Sequence, residues 1–200
     1  MYYRLILILG LSIAALGCST TSAPNTDDPS YFWVAAPRHY DVWVEHLRFE
    51  KSGVYAWHQA PGGISCCWSG ARGPSGAGGV LEPFPNYIAI QWFSFSEQKF
   101  YQRLFSVPQE WEAKMQETAP HHTHLKGVIE KRRNRLTLGL APGGEIVVWV
   151  MSQIGNEVEI ARLQANEIEG DVSRYGNRLA DYHQHHGDYL KANGIPTEGW

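Results

Sequence analysis

Two adjacent cysteines, Cys66 and Cys67, lie in the glycine-rich stretch GGISCCWSG and are the first residues that could carry chemistry. Neighbouring Cα atoms are about 3.8 Å apart, below the roughly 4.4–6.8 Å usual for a disulfide, so a bridge between them would be strained. A metal site needs further thiol or imidazole ligands at defined spacings, and the chain has no Cys-x-x-Cys motif. Because no histidine lies beside the pair in the sequence, we interpret it as structural or as a vicinal disulfide rather than as a reactive thiol.

Two groups of histidines, HHTH at residues 121–124 and HQHH at residues 183–186, are the other candidate metal ligands. Neither group contains HExxH, and the first follows Pro120 in a predicted loop. On a helix only His183 and His186, which are three apart, would share a face. We interpret both groups as solvated polar surface and therefore expect no metal and no cofactor.

Sequence motifs of catalysis do not stand out elsewhere. The glycine-rich run GPSGAGG at residues 73–79 lacks the GK[ST] of a phosphate-binding loop, and the serines lie outside any G-x-S-x-G elbow. Carboxylates are scattered along the chain, and their sequence positions do not pair them for acid and base catalysis. We therefore predict that the protein is not an enzyme.

The first twenty residues, MYYRLILILGLSIAALGCST, are typical of a secretory signal. One cation, Arg4, precedes an apolar run that is shorter than the about 20 residues of a transmembrane helix. The tetrapeptide ALGC is similar to a bacterial lipobox, so we predict that residues 1–17 are removed and that Cys18 is acylated. Ser19, which follows in place of Asp, implies sorting to the outer membrane, most simply facing the periplasm. An uncleaved anchor, or an ordinary signal with an incidental cysteine, is the alternative.

Length and composition predict one globular domain after this signal segment. The formal charge is -3 and becomes about -4 once Arg4 is lost, and no run of like charge exceeds residues 131–133, so nucleic acid is not expected as a partner. Residues 18–30 are predicted to form the lipidated amino end and a flexible tether. Residues 31–200 are long enough for a single β-rich globular domain with its own core.

Alternating and apolar segments predict that this domain is mostly β. The predicted strands cover residues 40–49, 87–95, 100–107, 135–140, 145–151 and 157–164. The predicted helices cover residues 108–118 and 177–192. The order of strands, helix, strands and helix indicates an α+β fold that is mainly β: an antiparallel sheet or β-sandwich with about two helices packed at one side.

Several stretches together resemble the proteobacterial lipoprotein family called domain of unknown function 2931. They are the glycine-rich segment with Cys66, Cys67 and Trp68, the run PNYIAIQWFSFSEQKFY with the later FSVP, the run LTLGLAPGGEIVVWV at 136–150, and the closing GIPTEGW. The resemblance defines no catalytic residues. It implies a periplasm-facing lipoprotein and a role as the immunity partner of a type VI secretion effector, the role attributed to some similar proteins.

The function we predict is therefore binding of a cognate secreted effector by a protein that the lipid holds on the membrane. Trp68, set among glycines, and Arg72 are the predicted partner contacts, whereas Trp43, Trp92 and Trp149 lie in predicted strands and are expected in the core. Two other functions stay open at this point. One is an envelope module that binds glycan or peptidoglycan through aromatic platforms, and the other is a metal-dependent envelope enzyme that uses the histidines.

Overall fold

The computed structural model describes residues 28–65 and 78–200. Over these residues the strands are β1 (Tyr31–Ala35), β2 (Val42–Lys51), β3 (Tyr55–Gln59), β4 (Gly62–Ile64), β5 (Gly78–Val80), β6 (Tyr87–Ser94), β7 (Lys99–Ser106), β8 (Thr118–Thr123), β9 (Gly127–Arg132), β10 (Arg135–Leu140), β11 (Glu145–Met151), β12 (Val158–Gln164) and β13 (Asn166–Ile168). The α-helices are α1 (Gln109–Gln116) and α2 (Gly176–Asn193), and short 3-10 turns cover Pro142–Gly144 and Val172–Tyr175. Each predicted strand and helix is confirmed to within two residues at either end.

Two sheets pack face to face. The first sheet has the order β12-β11-β10-β1-β5, and the second has the order β13-β7-β6-β2-β3 with β4 also paired to β2. Phe32 of the first sheet and Phe49 of the second have ring centroids 4.7 Å apart, so their side chains meet between the layers. The predicted mainly-β α+β fold is confirmed in its sandwich form.

Strand direction sets β1 apart from the rest of the described strands. β1 pairs with β10 in parallel, from Tyr31 beside Arg135 to Ala35 beside Gly139. On its other side β1 pairs antiparallel with β5. The remaining described pairs are antiparallel. Because β1 lies between β10 and β5, it is embedded inside the first sheet.

The core side of β2 shows why its alternation is imperfect in the sequence. Val42 and Val44 point into the core, and so do Leu47 and Phe49, which are three and five residues further on from Val44. The ladder with β6 shifts register between Val44 and His46, as expected for a β-bulge with one extra residue. The core-facing residues of β2 are therefore even-numbered before the bulge and odd-numbered after it.

The tryptophans expected in the core behave differently from one another. Trp92 and Trp149 are buried, as predicted. Trp43 is only half-buried, and the guanidinium of Arg178 lies over its ring at 4.2 Å. Trp43 therefore faces α2 rather than the space between the sheets.

Helix α2 covers one half of the outer face of the second sheet. Tyr175, just before the helix, stacks on Phe93 with centroids 4.3 Å apart and an interplanar angle of 4°. Tyr182 packs against Phe95 at 5.4 Å. These side chains, with Phe100, form a small apolar cluster that is separate from the main core. The helix predicted at residues 177–192 thus packs on the sheet through aromatic rings.

The closing segment folds back onto the sandwich. The ring of Trp200 lies 5.1 Å from Tyr40, and the Tyr40 hydroxyl donates to the carbonyl of Gly194 at 3.1 Å. Gly143, in the turn before β11, has φ of +79°, and a Cβ there would strike the carbonyl of Thr197. A glycine is therefore required at residue 143 both by the turn and by the chain end packed on it.

Within residues 28–65 and 78–200, no helix combines the length and the apolar character needed to cross a membrane.

Candidate functional site

The half of the second sheet's outer face that α2 leaves uncovered is the candidate site. Strands β3, β2, β6 and β7 lie side by side there, and their outward side chains form rows across the sheet. We call this area the open face; its residues are His46, Arg48, Glu50, Ala56, His58, Tyr87, Ala89, Gln91, Gln102, Leu104 and Ser106.

One row of the open face combines apolar and cationic groups. Leu104 lies beside Ala89, Ala89 beside Arg48, and Arg48 beside His58, on four successive strands. Leu104 is 66% exposed, which is high for a large aliphatic side chain, and it lies on β7 beyond the residues that pair with β13. Tyr87, also exposed, stands one row away. These two neighbouring rows therefore offer an apolar side chain, a cation and an aromatic ring on one face of the sheet.

A hydrogen-bond chain holds the middle of the open face. Gln102 donates to Gln91 at 3.3 Å, and Gln91 donates to the Glu45 carboxylate at 2.7 Å. Glu45 is buried at the bulge of β2 and also accepts from the Tyr175 hydroxyl at 2.7 Å, with Arg174 at 3.1 Å. The buried carboxylate is therefore well supplied with donors, and it joins the open face to the segment that carries α2.

Two histidines form a pair at the edge of this face. The Nδ1 of His46 and the Nε2 of His58 are 3.2 Å apart, and both rings are exposed. At that separation one neutral ring donates and the other accepts.

A second group of titratable side chains lies at the other side of α2. A cavity of about 240 Å³ is lined there by Asp41, Phe95, Arg178, Asp181, Tyr182, His185 and His186. His186 lies 3.7 Å from Asp41 through its Nε2 and 3.2 Å from His39 through its Nδ1. Burial raises the pKa of Asp41 to about 7. Burial, with His39 and His185 close by, lowers the pKa of His186.

Replacing Asp41 with asparagine is expected to stabilise the protein more at about pH 8 than at about pH 5. The folded carboxyl has a pKa of about 7, whereas an unfolded aspartate titrates near 3.9, so folding takes up a proton in between. Because the folded pKa is raised, the wild type loses stability as the pH rises toward 7, and the neutral amide avoids that loss.

Urea unfolding of both proteins at both pH values measures this effect. The pH-dependent part should be about 1–2 kcal/mol, allowing for screening by the solvent that reaches the cavity. The pKa of His186 is lowered by burial, so its contribution to the pH dependence has the opposite sign, and the difference between wild type and variant is the informative quantity. A difference that stays constant from acid to alkaline pH would show that Asp41 titrates normally.

Several residues that the sequence analysis singled out cannot be compared with the structure. Cys18, the pair Cys66 and Cys67, and the predicted partner contacts Trp68 and Arg72 lie outside the described residues. Those predictions stay as they were.

The histidine groups are in the described part and do not converge. His121 bonds to Ser152 at 3.1 Å, whereas His186 meets His39 at the far side of α2. Among the described residues, no group of three or more His, Cys, Asp or Glu side chains is placed to hold a metal ion.

Sequence reasoning missed the open face, although a signal for it was present. In β7 the alternation places Leu104 on the same side as Gln102 and Ser106, which is the polar side. With the exposed Tyr87 on the adjacent row, Leu104 forms a small apolar group on the polar side of the sheet, which favours a contact surface.

Comparison with known proteins adds one match. The model of the family described as "Protein of unknown function (DUF2931)" matches residues 20–198. No curated protein and no solved structure matches the chain. The match covers most of the sequence, including both sheets and α2. The chain therefore belongs to the DUF2931 family.

Proposed function

We propose that this protein is an envelope lipoprotein that works by binding, as an immunity protein that neutralises a type VI secretion effector acting in the periplasm. The single observation that carries the binding role is the exposed Leu104 on the open face. Tyr87 on the adjacent strand and Arg48, two strands away, are of the residue types enriched at protein–protein interfaces. Together they supply apolar area, a ring and a cation for one partner surface.

The rigidity of the open face supports the same role. Its central strands, β2 and β6, are paired on both sides, so little backbone freedom is lost there when a partner binds. The chain from Gln102 through Gln91 to Glu45 fixes the polar centre as well. A surface that is already ordered before binding suits a tight inhibitor.

The predicted lipid at Cys18 supplies the location. An acylated amino end would keep the domain at the outer membrane, where an effector delivered into the periplasm acts. Such a protein protects the cell by occupying the effector, and it needs no cofactor and no catalytic residue of its own. The effector as partner is what the family resemblance implies.

The test is a strain that lacks this gene, grown against its own parent. We expect the parent to inhibit the deletion strain, and a plasmid copy of the wild-type gene to restore growth. Equal growth of parent and deletion strain would contradict the immunity role. Affinity for isolated cell wall without any protein partner would instead favour the glycan-binding alternative.

A matched pair of variants locates the contact. Replacing Leu104 with aspartate should weaken effector binding about 30-fold, because a charge would be buried in the apolar part of the interface. Replacing Val80, which is 51% exposed on β5 of the other sheet, with aspartate should leave binding unchanged. Titration calorimetry with the purified effector measures both, and equal affinity of the Leu104 variant and the wild type would exclude the open face.

A further inference from the structure

The hairpin of β8 and β9 stands apart from both sheets, since in the described residues these strands pair only with each other. Its turn is well ordered by hydrogen bonds. The Thr123 hydroxyl accepts from the Lys126 amide at 2.9 Å and donates to the Gly127 carbonyl at 3.0 Å. Gly127 has φ of +66°, which allows the chain to reverse there. The side chains at the tip are therefore presented in a fixed arrangement.

That tip is apolar. Leu125 is 97% exposed and Val128 is 57% exposed. Beside them, a recess of about 420 Å³ is lined by Thr123, His124, Leu125, Lys126 and Ile129. Aliphatic side chains held so far into water on an ordered turn indicate a surface that is covered in the working protein.

From its middle to the residue before its last, β8 is braced against the turn between β11 and β12. The His122 amide donates to Gln153 at 2.8 Å, and the Asn156 side chain donates to the Pro120 carbonyl at 2.9 Å. Ile154, another exposed aliphatic residue, lies in that same turn. The hairpin and the turn are therefore in contact, and each carries exposed aliphatic side chains.

The chain from the predicted anchor enters the fold at the base of the same hairpin. Asp28 accepts from Asn134 at 3.0 Å and pairs with Lys131 of β9 at 3.0 Å. The ten residues from Cys18 to Asp28 can span at most about 33–36 Å, and the six from Lys131 to Leu125 about 20 Å. With residue 18 at a bilayer, the tip is therefore within reach of the lipid surface.

The charge of the tip fits an anionic lipid surface. Of the cations on the hairpin and just after it, Lys131 pairs with Asp28, Arg133 pairs with Glu117 and Arg132 is buried, so Lys126 is the cation that the tip presents. Lys126 lies on the turn itself, directly after Leu125. An apolar tip with a neighbouring cation matches the boundary between acyl chains and phosphate groups.

We propose that the tip of the β8–β9 hairpin inserts Leu125 and Val128 into the interfacial layer of an anionic phospholipid bilayer. The contact is a second attachment point beside the amino-terminal anchor. It fixes which side of the domain faces the membrane.

The test uses the mature chain with residue 18 held at vesicles through an amino-terminal polyhistidine tag and a nickel-chelating lipid. A fluorescent amino acid is placed at residue 125 or, as the matched control, at the exposed residue 104. Vesicles of phosphatidylethanolamine and phosphatidylglycerol carry a nitroxide quencher at headgroup depth. We expect quenching at residue 125 to exceed that at residue 104 by about threefold or more.

Replacing Lys126 with glutamate should reduce the quenching at residue 125 in these vesicles and have less effect in vesicles of phosphatidylcholine alone. Equal quenching at the two labelled positions, or stronger quenching at residue 104, would overturn the proposal. The outcome is independent of acylation and of the effector, because the tag provides the attachment. A failed immunity assay together with selective quenching at residue 125 would refute the proposed function alone.

Discussion

Replacing Tyr175 with alanine is expected to lower the free energy of unfolding by about 3–5 kcal/mol and to release α2 from the second sheet. The ring is buried and stacks on Phe93, and its hydroxyl donates to the buried Glu45 at 2.7 Å. Alanine would leave a cavity in the aromatic cluster, and it would take one donor from a carboxylate that cannot be solvated instead. Urea unfolding followed by circular dichroism measures both the loss of stability and the loss of helix.

Phenylalanine at residue 175 is the matched control. It keeps the stacked ring and removes only the hydroxyl, so the expected loss is about 1–2 kcal/mol. The helix should stay in place in this variant. If phenylalanine destabilised the protein as much as alanine, the hydrogen bond to Glu45 rather than ring packing would hold α2.

Replacing Trp92 with alanine should have an effect of similar size, about 3–5 kcal/mol, through the main core. Trp92 is 0% exposed, and its ring lies 5.4 Å from that of Tyr101 on the neighbouring strand. The sheets cannot close fully over a void of that size, because the strands on either side are held by their ladders. Thermal and urea unfolding of the purified variant measure the loss.

Phenylalanine at residue 92 gives a sharp comparison. The indole N–H of Trp92 finds no hydrogen-bond partner among the described residues. Phenylalanine therefore gives up some packing volume but also removes a buried unsatisfied donor, and the two effects offset each other. We expect a net loss of about 1 kcal/mol or less. A loss as large as that of alanine would show that the N–H is satisfied in solution.

The sequence contains much of this fold, because the central strands carry strong local signals. The runs at β6, β10 and β11 are long and apolar, and Pro142 with two glycines marks the turn before β11. α1 is short, yet Trp111 and Met115 four residues apart lie on one face, and both are buried. For these elements local preference and tertiary packing agree.

One of the missed strands, β8, has a local preference that contradicts its structure. β8 reads TAPHHT, and Pro120 with its neighbouring histidines argues against a strand. The segment is extended because β9 pairs with it and because Asn156 binds the Pro120 carbonyl. A two-stranded ribbon has free edges, so it tolerates a residue that lacks an N–H.

The candidate sites differ in how much of each could be predicted from local sequence. Leu104 follows from strand alternation, which is local information. The contact of His39 with His186 joins residues 147 positions apart, so it exists only once α2 has docked. Two stretches that carried the family resemblance also meet in space, since Gly143 lies against the carbonyl of Thr197. Sequence patterns identified each stretch separately, but their contact is tertiary.

The embedded parallel strand has a mechanical consequence. Tension on the amino end pulls β1 along its own axis, and the ladders to β10 and β5 on its two edges are then loaded in shear. All of their hydrogen bonds must yield at once, whereas a strand peeled from an edge gives way one bond at a time. A domain that is anchored to a bilayer at its amino end and bound by a partner on its opposite side would therefore resist unfolding when it is pulled from that end.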